Sequence, residues 1–313
     1  MPHPEPAEAL RVQPMRAIAV RTGERGPAEP WLRLGLAILA TSSSAILVRY
    51  AEGAPALALA FWRCALGALC LAPWAQPRLS GMRFRQALLP AVAGVFLAVH
   101  FGAWISSLGL TTVASSILLV STSPIFVATA DRVLFGVELT WRGWAGIALA
   151  LAGVGVISGG DFAGGSIAGD GLALAGAVAV AGYLMAGQRA RRSLGTLEYA
   201  AIAYGCAAVL LAIACGVARI PLGGWPGRTW LVIALMVAGP QLLGHTMINF
   251  VLKAFDATTV TVTVMLEPVV TILLALVLLG EVPSLLVFPG GVAIGTGIYA
   301  VARSQRPVPA RAP

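Results

Sequence analysis

From Trp31 to about Arg303 the sequence is a succession of apolar stretches, separated only by short clusters of charge, proline and glycine. About 20 apolar residues in a helix cross the hydrocarbon core of a bilayer. Lipid offers backbone N–H and C=O groups no water, so a helix that satisfies its own hydrogen bonds is the element such stretches can form. Cutting at the breaks predicts ten spans, at 32–50, 56–75, 86–108, 112–135, 140–159, 169–189, 197–218, 229–252, 257–280 and 284–302. Short connections set successive helices antiparallel. Composition agrees: 58% of residues are hydrophobic and 11% charged, with a mean hydropathy of +0.86, whereas soluble domains carry about 25% charged residues. The expected fold class is an all-α polytopic membrane protein, with the lipid bilayer as its main partner.

The net charge of +8 raises the question of a nucleic-acid partner, but the placement of the charges points elsewhere. With a cytoplasmic amino terminus, Arg11, Arg16, Arg21, Arg25 and Arg33 lie inside, followed by Arg78, Arg83 and Arg85, then Arg132 and Arg142. Arg189, Arg191 and Arg192, Lys253, and Arg303, Arg306 and Arg311 complete the inside set. Arg49, Arg219 and Arg228 fall outside, and Arg63 within the second span. The positive-inside rule then places both termini in the cytoplasm, and no nucleic acid is expected. Residues 1–30, rich in proline with interleaved Arg and Glu, lack the apolar core of a signal peptide and read as a disordered cytoplasmic tail; 304–313 form a second tail. Cys64, Cys70, Cys206 and Cys215 sit inside apolar runs without metal or redox spacing, so they read as small hydrophobes. No metal or cofactor is expected.

The chain repeats itself. Gly146 and Gly153 follow Pro124, and Gly290 and Gly297 follow Pro268 at the same intervals, an offset of 144 throughout. "TTVASS" (111–116) and "TTVTVT" (258–263) introduce the fourth and ninth spans, and "LFGVE" (134–138) and "LLGE" (278–281) end them. Each half, 31–160 and 161–303, holds five spans, and an odd number inverts the second half relative to the first. Inverted repeats are the architecture of secondary transporters, with the substrate site near midplane where the repeats meet. Gly291 and Gly295 form a GxxxG, and span five carries Gly143, Gly146, Gly153 and Gly155; these allow close contact within the bundle or between subunits, leaving monomer and homodimer both open.

"FWRCALGALCLAP" (61–73), the two proline-containing stretches of spans four and nine, and "GDGLALAGAVAVAGYLMAGQRARR" (169–192) together resemble the EamA family of the drug/metabolite transporter superfamily. The resemblance covers about 31 to 303. It implies ten helices in two inverted five-helix repeats and the export of amino acids or other small metabolites, the nearest likeness being to aromatic amino acid exporters. Span one departs from the pattern, with "LATSSSAIL" where the family has a Trp-Gly-Ser stretch.

Helical residues four apart share a face. Gln241, His245 and Asn249 form such a stripe in span eight; Phe96, His100, Trp104 and Ser107 in span three; Thr259, Thr263, Glu267 and Thr271 in span nine. Span four adds Ser115, Thr122 and Ser123, and span one Ser42, Ser43 and Ser44. Polar stripes facing lipid are costly, roughly 2.5–3.5 kcal/mol for a charge at the bilayer centre, so they converge inward. They then line a pathway, or they join helices at roughly 0.6–2 kcal/mol per bond. The candidate substrate-binding residues are Ser43, His100, Trp104, Ser107, Ser123, Tyr183, Gln241, His245 and Asn249. His100 and His245, 145 apart, are expected to face each other, as proton carriers or as core hydrogen-bonding groups; Trp104 and Tyr183 are expected as a stacking wall or as packing. Arg63 is a carboxylate ligand or, with its span expected at the periphery, a structural partner. Glu267, near midplane, is a candidate for proton coupling or a hydrogen-bonded helix contact, and Pro124 and Pro268 are kink points.

The leading function is a secondary transporter exporting amino acids, aromatic or other hydrophobic ones among them, or related small metabolites across the inner membrane. A membrane-embedded enzyme or a small-molecule sensor is the alternative. The sequence contains no GxSxG, HExxH or Walker motif and no paired aspartates, which disfavours hydrolysis and ATP-driven transport.

Overall fold

The computed structural model describes residues 28–159, 166–280 and 284–304, and among them every regular element is helical. The tails expected at 1–30 and 304–313 lie almost wholly outside the described residues, as does Glu281. The elements are α1 (Ala28–Tyr50), α2 (Ala56–Leu79), α3 (Phe84–Ser107), α4 (Val113–Val120), α5 (Ser123–Phe135) and α6 (Trp141–Ile157) in the first half. The second half holds α7 (Ile167–Ala190), α8 (Thr196–Val217), α9 (Gly227–Met236), a π-helical segment (Val237–His245), α10 (Thr246–Val251), α11 (Ala257–Val264), α12 (Glu267–Leu279) and α13 (Val287–Ser304). Among the described residues, eight segments are long and apolar enough to cross a membrane: α1, α2, α3, α4 with α5, α7, α8, α9 through α10, and α11 with α12. Helix α6 is apolar but only 17 residues long.

Polarity is distributed inside out. Leu39, Val95, Val99, Leu231, Leu235 and Leu276 are exposed, while Arg63, Gln241, Asn249 and Glu198 are buried. Water would reverse that arrangement; lipid selects it. This is a multi-pass membrane protein.

The repeat is visible in packing. A Cβ on Gly146 would lie 2.8 Å from the carbonyl oxygen of Gly297, and one on Gly153 2.6 Å from that of Gly290. The lower-numbered glycine of each helix meets the higher-numbered glycine of the other, so α6 and α13 cross antiparallel in a reciprocal contact, the signature of a two-fold relation. Gly295 is open and Gly291 touches only Val269 side-chain atoms; the close contact uses Gly290 and Gly297 rather than the GxxxG pair. Gly136 and Gly280, again 144 apart, end α5 and α12 with φ of 65° and 70°, the left-handed conformation that glycine adopts without strain. Thr112 and Asp256, also 144 apart, cap α4 and α11 by accepting the N–H of Ser115 and Thr259. The structural register therefore differs by three residues from the one the "TTV" triplets suggest.

Spans four and nine each tighten at their middle. Ser121–Thr122 and Met265–Leu266 keep right-handed helical dihedrals, but the bonding shortens to three residues back, as in Thr122 N–H to Leu119 O and Leu266 N–H to Thr263 O. Pro124 and Pro268 fall in the first turn of the helix that follows, where a missing N–H costs nothing. Span eight is also irregular: over Val237–His245 the hydrogen bonds skip to i+5, as in Thr246 N–H to Gln241 O. Pro240 lies within this segment and cannot donate.

The glycine contact makes a direct prediction. Gly153→Ala should lower the apparent melting temperature of the detergent-purified protein, at an overpacking cost of about 1–3 kcal/mol, whereas Gly155→Ala, with nothing within 4 Å, should leave it unchanged.

Candidate functional site

A cavity of about 120 Å³ lies at the centre of the bundle, walled by α1, α2, α3, α7, the end of the π-helical segment and spans four and nine. Helix α1 supplies a ridge of hydroxyls. Thr41 and Ser44 fall three residues apart on one helical face, with Ser42 beside them, and all three line the cavity. Ser42 also donates back to the carbonyl of Ile38 at 2.6 Å, which settles a hydroxyl that lipid could not. Ser43 turns away: its hydroxyl donates to Ala40 O at 2.7 Å, near Gly239.

Arg63 lies on the cavity wall, only 1% exposed. Its span was expected at the periphery; α2 instead packs against α3, α8 and the π-helical segment, which carries this side chain to the centre. Nε donates to Gln241 Oε1 at 3.0 Å and Nη1 to Ser44 Oγ at 3.3 Å. The guanidinium rests over the Phe101 ring at 3.9 Å, a cation–π contact favoured where the ion is desolvated. Nη2 is buried without a partner.

Glu267 also lines the cavity and accepts a short hydrogen bond from the Thr41 hydroxyl. It opens α12, next to Pro268. Thr271 Oγ1 donates to Ser42 O at 3.0 Å and fastens α12 to α1.

The other sequence candidates divide into two groups. His100, Trp104, Ser123, Tyr183, His245 and Pro268 line the cavity. His100 Nδ1 is 2.9 Å from Gly176 O and its ring stacks on Trp104 at 6.1 Å. His245 meets the edge of Phe101 at 5.0 Å. Trp104 therefore stacks on His100, while Tyr183 donates to Asn249 Oδ1 at 2.7 Å and tilts against Tyr199. The remaining residues lie behind the wall. Gln241 and Asn249 are fully buried and hold Arg63 and Tyr183 respectively; the π-helical segment interrupts the regular i, i+4, i+8 stripe they were expected to share with His245. Ser107 bonds Ser116 at 2.7 Å and ties α3 to α4, and Pro124 is buried off the cavity. Thr41, Ser44, Phe101 and Thr261 are wall residues outside the original candidate set. The i, i+3 spacing of Thr41 and Ser44 was the signal for the first two.

The cavity is asymmetric along the bundle. Toward the loops that follow α1 and α3 it shares Ala45, Ile117, Pro268 and Thr271 with a second chamber of about 580 Å³, lined mostly by Ile, Val, Leu and Ala. Toward the other end the chain is sealed. Arg191, 4% exposed, donates to Asn249 O at 3.0 Å and to Leu194 O, and Gln188 accepts from Ala257 N–H at 3.4 Å.

A helical membrane protein that gathers a guanidinium, a carboxylate, imidazoles and hydroxyls around a chamber inside its helix bundle has the build of a membrane transporter for small molecules. The sequence profile of the EamA-like transporter family matches residues 31–159 and 167–303. The chain belongs to that family. No curated protein sequence matches it. Among 29 solved chains that match, one crystal structure, 23% identical, superimposes with a TM-score of 0.73 over 90% of this chain and 99% of its own; the likeness is one of fold.

Accessibility follows from this asymmetry. In a background lacking the four native cysteines, Ala45→Cys should react with a membrane-impermeant maleimide from the side of the α1–α2 loop, and Gln188→Cys should react from neither side. Labelling at Gln188→Cys without labelling at Ala45→Cys would mean the opposite end is the open one.

Proposed function

We propose that the protein exports amino acids, aromatic or other hydrophobic ones among them, or related small metabolites across the cytoplasmic (inner) membrane by alternating access. In this reading ten helices form two inverted five-helix repeats, 31–160 and 161–303, and both termini are cytoplasmic, so the open chamber faces outward. The observation that carries it is the central cavity itself: a guanidinium, a carboxylate, two imidazoles and several hydroxyls gathered where the two halves meet, behind walls of apolar side chains. Polar groups are costly in a membrane interior, and such groups mark a pathway.

Spans four and nine supply the moving parts. The tight turns at Ser121–Thr122 and Met265–Leu266, each followed by a proline that cannot donate, are the weakest points of the two hydrogen-bond ladders, and both border the chamber. Rocking of the halves about these points would open the end sealed by Arg191 and close the other. Ser123, Tyr183, His100, Trp104 and His245 are then substrate-facing, with Gln241, Asn249, Ser43 and Ser107 supporting them. Glu267 is the candidate for coupling to a proton gradient.

The test is transport by the purified protein in liposomes against a panel of amino acids and other metabolites, with and without a pH gradient. Flux of an amino acid without chemical change is the expected result; turnover without flux would establish an enzyme. Glu267→Gln should abolish gradient-driven accumulation while exchange at saturating substrate persists, and unchanged gradient dependence would remove Glu267 from coupling.

A further inference from the structure

Two opposite charges face one chamber without neutralising each other. Arg63 and Glu267 both line the central cavity, and no ion pair joins them. Each is instead held by a different hydroxyl of α1: Ser44 takes a hydrogen bond from Arg63, and Thr41 gives one to Glu267. Those two positions are one helical turn apart, roughly 5–6 Å between Cβ atoms, so α1 keeps the charges at a fixed short spacing. Two buried donors remain unused beside the chamber, Arg63 Nη2 and Trp104 Nε1. A buried donor without a partner costs about 1–3 kcal/mol, more when charged. Gln241 Nε2, Tyr199 Oη and Glu198 Oε2 are also unpartnered, but only Arg63 and Trp104 line the chamber, where a ligand would satisfy them.

We propose that this chamber recognises the zwitterionic head of an α-amino acid, with Arg63 and Trp104 binding the α-carboxylate and Glu267 binding the α-ammonium. The assignment rests on the transporter reading above and narrows it to a chemical class. A guanidinium with one edge free matches a carboxylate, and a carboxylate anchored on one oxygen by Thr41 keeps lone pairs for an ammonium. A ligand carrying both charges on one α-carbon satisfies both groups at once; an amine or an acid alone leaves the other buried charge unmatched. The volumes fit this division. The inner chamber of about 120 Å³ holds the two charged groups and is small, and it shares part of its wall with the larger chamber of about 580 Å³, where a hydrophobic side chain would lie beside Ile46, Leu59, Ile105 and Ile272.

The experiment is competition against radiolabelled L-leucine counterflow in liposomes containing the full-length protein, using L-leucine, L-leucinamide, which lacks the carboxylate, and N-acetyl-L-leucine, which lacks the ammonium. Leucine should compete at a concentration at least about tenfold lower than either analogue, the ratio expected for losing one charged hydrogen bond. In Arg63→Gln the gap between leucine and leucinamide should close while that to N-acetylleucine persists; in Glu267→Gln the pattern should reverse. Analogues that compete as well as leucine against the unmodified protein would overturn the assignment and leave amino acid transport intact. So would variants that retain both gaps. If leucine and every other amino acid fail to move while another metabolite does, the transport of amino acids itself falls and this assignment with it. Should either variant fail to fold, the wild-type ratios decide alone.

Discussion

The bilayer gives a polar group no solvent, and every feature of this molecule follows from where its polar groups then go. Backbone amides are spent within helices. Serines and threonines return hydrogen bonds to their own helix, as Ser42, Thr261 and Thr263 do. The groups that cannot be settled locally, Arg63 and Glu267 above all, meet at the centre, each held by a hydroxyl of α1. A charge at the bilayer centre costs roughly 2.5–3.5 kcal/mol on insertion scales; an aromatic face, an amide and a hydroxyl offset that for Arg63, and the Thr41 hydroxyl offsets it for Glu267.

The scaffold around the chamber is rigid where the halves touch and irregular where the chamber is lined. Between α6 and α13 only glycine allows backbones to come as close as they do, and the contact is reciprocal between the repeats. At the chamber itself the helices are interrupted: α4 gives way to α5, α11 to α12, and α9 passes through a π-helical segment before α10. Irregular backbone at membrane depth is tolerated where it borders a cavity rather than lipid, and π-helical turns recur at functional sites. Packing and irregularity thus divide the labour between holding the halves together and shaping the space between them.

Much of this was legible in the sequence, for identifiable reasons. Apolar run length fixes the helical class, and the repeat is written in prolines and glycines because those residues mark backbone geometry that no other residue replaces: Pro124 and Pro268 start helices, Gly136 and Gly280 end them, and Gly146, Gly153, Gly290 and Gly297 make the closest contact. The polar stripes were also visible, and several of their members reach the cavity. The sequence did not reveal how each helix is rotated. Ser42, Ser43 and Ser44 are adjacent, yet successive helical residues point about 100° apart, and packing of α1 against the π-helical segment and α12 decides that the first and third line the chamber. Arg63 was misplaced to the periphery because its span's neighbours, α3, α8 and the π-helical segment, are brought together by long-range packing. The π-helical segment shifts register by a single residue, a change that leaves no mark on an apolar pattern beyond Pro240.

The central claim is that the chamber between the two halves is where substrate is held. A cryo-electron microscopy map of the protein in lipid nanodiscs, with a transported amino acid bound, tests it most directly. The account predicts ligand density between α1, α3 and α12, in contact with Arg63 at one end and Glu267 at the other. Density seated elsewhere, with Arg63 and Glu267 closed onto each other across an empty chamber, would contradict it.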